Sequence, residues 1–510
     1  MSLLVGIDVG TSGLEAIVVD AERAQVVLSA SRDYPLATPR PGWAEQEPED
    51  FALAALSALR EIANGLGSRV KHVRAIGLTG QMHSAVLLDE DHNVVRPAIL
   101  WCDTRTTAEC EAITAQLGEE GLGRAVGNRA LEGFTLPKLL WLRTYEPGTM
   151  ARARALLMPK DYVGFRLTGE LGADVSDASG TLVFDPGARA WSETITKAFD
   201  INPAILPPVG DSPSLLGRLS PDAAEATGLP VGIAVVRGAA DNAAGAVGLG
   251  VVRAGRAMAS VGTSGVVLLH TDDYRVEPRM RLHSFCHAVP GHYYLMGVML
   301  SAGGALRWYR DVLCDGERMA AELQGVDPYS VITDSASTAR IGAGGVVFLP
   351  YLMGERTPHN DAMARGALIG ATARTTKADI SRAVLEGITF GLADSLALMR
   401  EAAGAEIDEI RLTGGGAKSP FWRKLMADVF DAPVSLTTST EGPAFGAAIL
   451  AGAGAGVFGS VEEGADALVH VTQTIAPDPA NASRYREVHA VYRDLYRDLH
   501  QRFRALAALE

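Results

Sequence analysis

Asp8, Val9, Gly10, Thr11, Ser12 and Gly13 spell DVGTSG, and the string returns almost unchanged as Ser260, Val261, Gly262, Thr263, Ser264 and Gly265, SVGTSG. Each copy has the same setting. Residues 3–8 are apolar and β-prone and residues 14–19 resume the pattern, so the first copy reads as the turn of a hairpin. Residues 258–260 and 266–269 flank the second copy in the same way. A Gly/Thr/Ser turn between two strands offers backbone N–H groups that can cradle an anion such as phosphate. Two such hairpins, roughly one domain length apart, predict two related α/β halves whose phosphate turns face each other across a cleft. Only the first copy carries an acid, Asp8, where the second has Ser260. Any metal is therefore expected on one side. Asp8 would hold magnesium through water, since magnesium keeps several of its waters.

A chain of 510 residues is too long for one hydrophobic core. Two domains are expected, residues 1–249 and 250–510. Hydrophobic residues at 47% and charged residues at 21% exclude long disorder. A net charge of −14 argues against nucleic-acid or anionic-membrane partners. Cys102, Cys110, Cys286 and Cys314 show no CxxC spacing. They fit a reducing cytoplasm and form neither a disulfide framework nor a cysteine zinc site. The chain runs straight into a strand, so no signal peptide is expected. Residues 443–461 are uncharged and long enough to span a bilayer, but Gly and Ala dominate them. They read as a closely packed internal helix, from residue 441 to 454, followed by a loop.

Residues 231–236 form an apolar run that leads to Asp241, alone among Gly and Ala. Such an acid has few neighbours to neutralise it. It reads either as a general base on a cleft floor or as a helix N-cap or turn residue. Gln81, Met82, His83 and Ser84 lie between strands at 73–78 and 85–88, where they can bond a polyhydroxylated ligand or simply satisfy a turn. Asp103 and Arg105 follow a strand at 98–101; they can bind hydroxyls or pair with each other. Gly414, Gly415, Gly416 and Lys418 open a helix at 420–430, which suits a flat or anionic ligand pressed on backbone. This is not the GxxxxGK[ST] phosphate loop. Residues 34–48 read as a loop around Trp43 and residues 51–66 as a helix. Residues 134–143 read as a loop entering an amphipathic helix, residues 354–358 as a turn linking domains, and residues 380–401 as a long helix. Residues 483–510 read as an amphipathic terminal helix.

The strings GIDVGTS, GQMHS, RPAILWCDTR, PKLLW, DVSDASGT, RGAADNAAGAVG, SVGTSG, LPYLMGERTP and LTGGGAKSPFWRKLMADVF, in this order, resemble the FGGY family of carbohydrate kinases, and within it the xylulokinase branch. The resemblance spans residues 4–457. It implies two actin-like (ribonuclease H-like) ATPase domains with an interdomain cleft where MgATP and sugar meet. The expected reaction is ATP-dependent phosphorylation of the terminal hydroxyl of D-xylulose to D-xylulose 5-phosphate. Asp241 and Asp8 would be catalytic, Asp241 taking the hydroxyl proton and both lying at the magnesium. Gln81, Met82, His83, Asp103, Arg105, Asp241 and Asn242 would bind sugar. Gly10, Thr11, Ser12, Gly262, Thr263, Ser264, Gly414, Gly415, Gly416 and Lys418 would bind ATP. Ser84 stands where many xylulokinases have Gly, and Met-His-Ser is similar to the gluconokinase branch. Gluconokinase and ribulokinase are therefore alternatives within the family. An actin-like or chaperone-like ATPase without sugar is the alternative of another class, and would lack the sugar-facing cluster at 81–84. A sugar-sensing regulator would tend to lose Asp8 and Asp241. The expected partners are a small sugar and ATP, with neither nucleic acid nor membrane; a cytoplasmic homodimer is compatible with this reading.

Overall fold

The computed structural model describes residues 1–439 and 442–509. The first hairpin forms where its apolar runs place it. Strand β1 (Leu3–Val9) pairs antiparallel with β2 (Gly13–Asp20), and β3 (Gln25–Asp33) lies beyond. Every residue of β1 except Asp8 is buried, as its unbroken apolar run requires of a strand covered on both faces. On its other side β1 runs parallel to β4 (Val73–Gly80). Beyond β4 stand β5 (Leu215–Arg218), β6 (Ala234–Val236) and the short β7 (Ala239–Ala240); β6 and β7 both run parallel to β4. The sheet order is β5-β6-β4-β1-β2-β3.

The second half builds β8 (Arg256–Val261), β9 (Gly265–Thr271), β10 (His283–Cys286), β11 (Tyr293–Met299), β12 (Glu409–Gly414), β13 (Val434–Thr437) and β14 (Val471–Ile475), in the order β10-β11-β9-β8-β12-β13-β14. The path β3-β2-β1-β4-β6 of the first sheet recurs as β11-β9-β8-β12-β13. Both read antiparallel, antiparallel, parallel, parallel. DVGTSG and SVGTSG thus occupy the same turn in two sheets of one topology.

Helix α1 (Asp241–Gly248) leaves the first sheet. Helix α2 (Lys377–Ala403) is buried along most of its length in the second core, as its long unbroken helical pattern suggests. Helix α3 (Gly442–Gly454) is the Gly/Ala segment; Glu441, where its start was expected, lies outside the described residues. It packs on β1, β4 and α1. The approach is so close that a Cβ on Gly6 would sit 1.9 Å from the Ala444 carbonyl oxygen, and one on Gly446 1.8 Å from that of Ala244. The small residues are there for backbone contact between elements, and no described helix is long and apolar enough to cross a membrane. Because α3 comes from the second half of the chain and covers the sheet of the first, one apolar cluster joins Val236, Leu249 and Ala444 with Met258, Phe285 and Met296.

The helix expected to be amphipathic, Thr135–Tyr145, is instead buried from Thr135 to Leu142 on every face, Lys138 included. The final helix, α4 (Pro479–Ala507), inserts Tyr485, Tyr492 and Phe503 into the second core; Glu510 lies outside the described residues.

Candidate active site

Register brings the two acids together. Asp8 pairs across β4 with Thr79, and Thr79 pairs with Ala239 of β7. Asp241 follows Ala240 and opens α1. Both acids therefore stand at the carboxyl ends of parallel strands that flank β4, the edge where α/β sheets bind ligands. Burial, and then the charge of Asp241, pushes the Asp8 carboxyl up to about 7. Its Oδ1 is buried with no hydrogen-bond partner among the described residues. Burial likewise pushes Asp241 up to about 6, against two hydrogen bonds that favour the charged form. Those bonds come from the Asn242 backbone N–H (2.6 Å) and Nδ2 (2.8 Å), and both end on Oδ1. Among the described residues no cation pairs with Asp241. It is the first residue of the helix and part of a cavity wall; the N-cap is Ala240 and no side chain caps the helix, so the N-cap reading of Asp241 does not hold.

That cavity has a volume of about 270 Å³ and lies between the halves. Met82, His83, Trp101, Phe134, Asp241 and Asn242 line it from the first half; Ser264, Val266, His283, Met296 and Arg356 line it from the second. His83 holds a left-handed backbone, φ +68°. Its carbonyl accepts from Thr135 Oγ1 (2.9 Å) and Lys138 Nζ (3.1 Å). Its Nδ1 faces the Gly180 carbonyl, which can only accept, so Nδ1 carries the hydrogen and Nε2 is left as an acceptor. Burial pulls His83 down to about 3, which keeps the ring neutral. The buried Lys138 also bonds the carbonyls of Gly133 and Phe134, and so ties one wall of the cavity together. Burial lowers this lysine to about 7, the charge of Asp103 opposing.

Asp103 and Arg105, expected at the sugar, are turned on each other. Arg105 Nε and Nη2 bond the Asp103 carboxylate at 2.9 and 2.6 Å, and Nη2 reaches Glu45 at 2.8 Å. The guanidinium stacks 3.6 Å over Trp43, and both side chains are almost wholly buried. Nε and Nη2 are thus spent on carboxylates, while Nη1 is buried without a hydrogen-bond partner among the described residues. Neither Asp103 nor Arg105 lines the cavity that holds Asp241. Gln81 is also buried away from the cavity. It bonds Gln46 Oε1 (3.1 Å), the Gly10 carbonyl (3.4 Å) and Thr11 Oγ1 (3.4 Å), bracing the first turn. Gly10, Thr11 and Ser12 form that turn on the first-sheet side and line neither cavity described here. Trp101 Nε1 donates to Thr11 Oγ1 at 2.9 Å and so links turn and cavity wall.

A second cavity, about 420 Å³, opens on the second half. Gly262, Thr263, Gly415, Gly416 and Lys418 line it with Leu306, Arg307, Tyr329 and Trp422. Gly414 adopts φ +81° beneath it, where a Cβ would meet the Val261 carbonyl oxygen at 2.6 Å. A Cβ on Gly303 would likewise meet the Gly262 oxygen at 2.4 Å, so the helix Gly303–Leu313 starts hard against the second turn. Ser264, expected with the nucleotide, lines the smaller cavity instead. Sequence reasoning missed Trp101, Phe134, His283, Arg356 and Tyr329 as lining residues. The GERTP string was a signal for Arg356, though read as a domain link; Phe134 and Tyr329 carried none.

The N-terminal domain profile of the FGGY family of carbohydrate kinases matches residues 3–248 and the C-terminal domain profile matches residues 257–455. The chain is similar to a xylulose kinase of Bacillus subtilis, 39% identical over 97% of this chain and 97% of that protein. It is similar to a xylulose kinase of Escherichia coli, 38% identical over 98% of this chain and 99% of that protein. The solved structure of a xylulose kinase from Rhodospirillum rubrum superposes with a TM-score of 0.90 at 30% identity, covering 98% of this chain and all of that one. Two actin-like halves, an acid-floored cleft and matches along nearly the whole chain agree: the protein belongs to the FGGY family of carbohydrate kinases.

Proposed function

We propose that this kinase transfers the γ-phosphoryl of ATP to the terminal hydroxyl of D-xylulose, giving D-xylulose 5-phosphate and ADP. One observation carries the site assignment. The three-residue turn Gly262, Thr263, Ser264 is shared: its first two residues line the larger cavity and its third lines the cavity that holds Asp241. A phosphate chain lying along this turn ends where the acid waits. Such transfer is mostly positioning and charge neutralisation.

The sugar fits the smaller cavity by its chemistry. His83 Nε2 accepts from a hydroxyl, while Trp101 and Phe134 offer apolar faces to the C–H side. Asp241 Oδ1 is held by Asn242, so Oδ2 is the oxygen that takes the proton of the terminal hydroxyl. As that O–H bond breaks, the sugar oxygen bonds the γ-phosphorus, the bond from that phosphorus to the bridging oxygen breaks, and ADP leaves with the electron pair. The adenosine end fits between Tyr329, Trp422 and the Gly415–Gly416 backbone. Asp8 suits a magnesium ion held through water, because its buried Oδ1 has no hydrogen-bond partner among the described residues and Asp241 lies beside it. Bound there, the ion would supply neutralisation of phosphate charge.

Arg356 lines the sugar cavity with no carboxylate paired to it among the described residues, and a carboxylate-bearing sugar acid would suit it. Gluconate is therefore the informative comparison. In a coupled ADP-release assay, D-xylulose should give the highest kcat/KM over D-ribulose, D-gluconate and no sugar. Preference for gluconate would overturn the substrate, and turnover independent of sugar would overturn the kinase reading of this cavity.

A further inference from the structure

Far along β9 from the phosphate turn, three side chains converge that the sugar and nucleotide cavities do not use. His270 lies in β9 and Asp272 in the bend just past its end, which brings the Asp272 carboxylate back to the His270 ring. The β9–β11 register pairs Thr271 with Tyr293, and one further step sets Asp272 opposite His292. The result is a closed triangle of ligand atoms. His270 Nε2 lies 3.0 Å from His292 Nδ1, and Asp272 Oδ1 lies 3.3 Å from the first nitrogen and 3.2 Å from the second. No other trio of His, Cys, Asp or Glu among the described residues brings its ligand atoms together in this way.

Hydrogen bonds alone serve this triangle poorly. Each ring nitrogen projects its lone pair or its hydrogen along one direction, so it cannot address both other corners well. A cation at the centre serves all three. Bonds of about 2.0–2.1 Å place tetrahedral ligand atoms about 3.3–3.4 Å apart and octahedral ones about 2.8–3.0 Å apart. The three observed edges lie within that span. The surroundings also favour a cation. A cavity of about 630 Å³ beside Asp272 and His292 is lined by Glu462, Glu463 and Asp466, and its Arg253 is already paired with Asp466 at 2.5 Å. His270 is buried, while the side chains of Asp272 and His292 are 60% and 30% exposed, which leaves a route in from solvent.

We propose that His270, Asp272 and His292 bind one first-row divalent transition metal, with zinc as the working probe, and that the ion clips the end of β9 to β11. Imidazole nitrogens select such metals over magnesium, so the magnesium of MgATP does not compete for the site. Three protein ligands leave an open position toward the acidic cavity.

The test uses the full chain, stripped with a chelator and titrated with zinc chloride against a chromophoric competing chelator. One zinc per chain is expected, undisturbed by excess magnesium. Asp272→Ala and His292→Ala should each weaken it by at least about tenfold. Zinc should raise the melting temperature of the unaltered protein but of neither variant. An Asp8→Asn, Asp241→Asn double variant should keep the zinc, which separates this site from the acids of the cleft. Sugar-dependent turnover without zinc should be the same in Asp272→Ala and His292→Ala as in the parent, which shows that both fold. Absence of a one-per-chain zinc, or binding undiminished in both variants, overturns the proposal.

Discussion

Replacing Asp241 by asparagine should make the ligand-free protein more stable at high pH. Burial raises this carboxyl from 3.8 to about 6, so the folded state holds its proton longer than the unfolded state does. A raised carboxyl contributes its full share of stability below about pH 4 and loses it as pH climbs through about 6. The gap is worth about 3 kcal/mol, at about 1.4 kcal/mol for each pKa unit. An asparagine Oδ1 can still accept from Asn242 N and Nδ2, so the substitution removes the buried charge without undoing those bonds. It also relieves Asp8, whose carboxyl the charge of Asp241 helps to raise. Urea unfolding followed by tryptophan fluorescence should show near-equal midpoints at about pH 3, a gain for the variant of about 1 kcal/mol by about pH 4.5, and up to ~3 kcal/mol at about pH 8. Equal midpoints at the higher pH, or a less stable variant, would refute the reasoning that this acid is held ionised at the expense of the fold.

The acidic limb of kcat/KM for sugar should fall between about pH 6 and 7, where Asp241 and Asp8 titrate as a neighbouring pair. Asp8→Asn should leave a limb near 6, and its loss would assign the base elsewhere. Gly446→Ala should destabilise by about 1–3 kcal/mol or more, because the new Cβ meets the Ala244 oxygen at 1.8 Å. Gly245→Ala, whose Cβ has only Pro443 Cγ at 3.8 Å, is the tolerated control in the same melting experiment. Lys138→Met removes the side-chain donor shared by the carbonyls of His83, Gly133 and Phe134, leaving His83 only its bond from Thr135 Oγ1. It should raise KM for sugar more than KM for ATP in steady-state assays.

The fold was legible because its defining feature is local. A Gly/Thr/Ser turn between two apolar runs can be seen without knowing what packs on it, and it occurs twice. The cleft acids were legible for the same reason, since Asp241 stands alone among small residues. Pairing across long sequence distances was not. That Asp103 and Arg105 pair with each other was one of the two readings their spacing allowed, but nothing local showed that Trp43 and Glu45, distant in sequence, close over them. Lys138 sits in a helix whose periodicity says little, because every face is covered. Ser264 could not be separated from Gly262 and Thr263 by sequence, although a turn of three residues is enough to face two cavities. His270 and His292 belong together only through the β9–β11 register, which no local pattern announces.

The most direct measurement is single-variant turnover on D-xylulose. Asp241→Asn, assayed by ADP release at saturating ATP and sugar, should lose about 10²–10⁴-fold in kcat while KM for D-xylulose moves little. A variant that turns over at close to the parent rate would contradict the claim that this acid takes the proton.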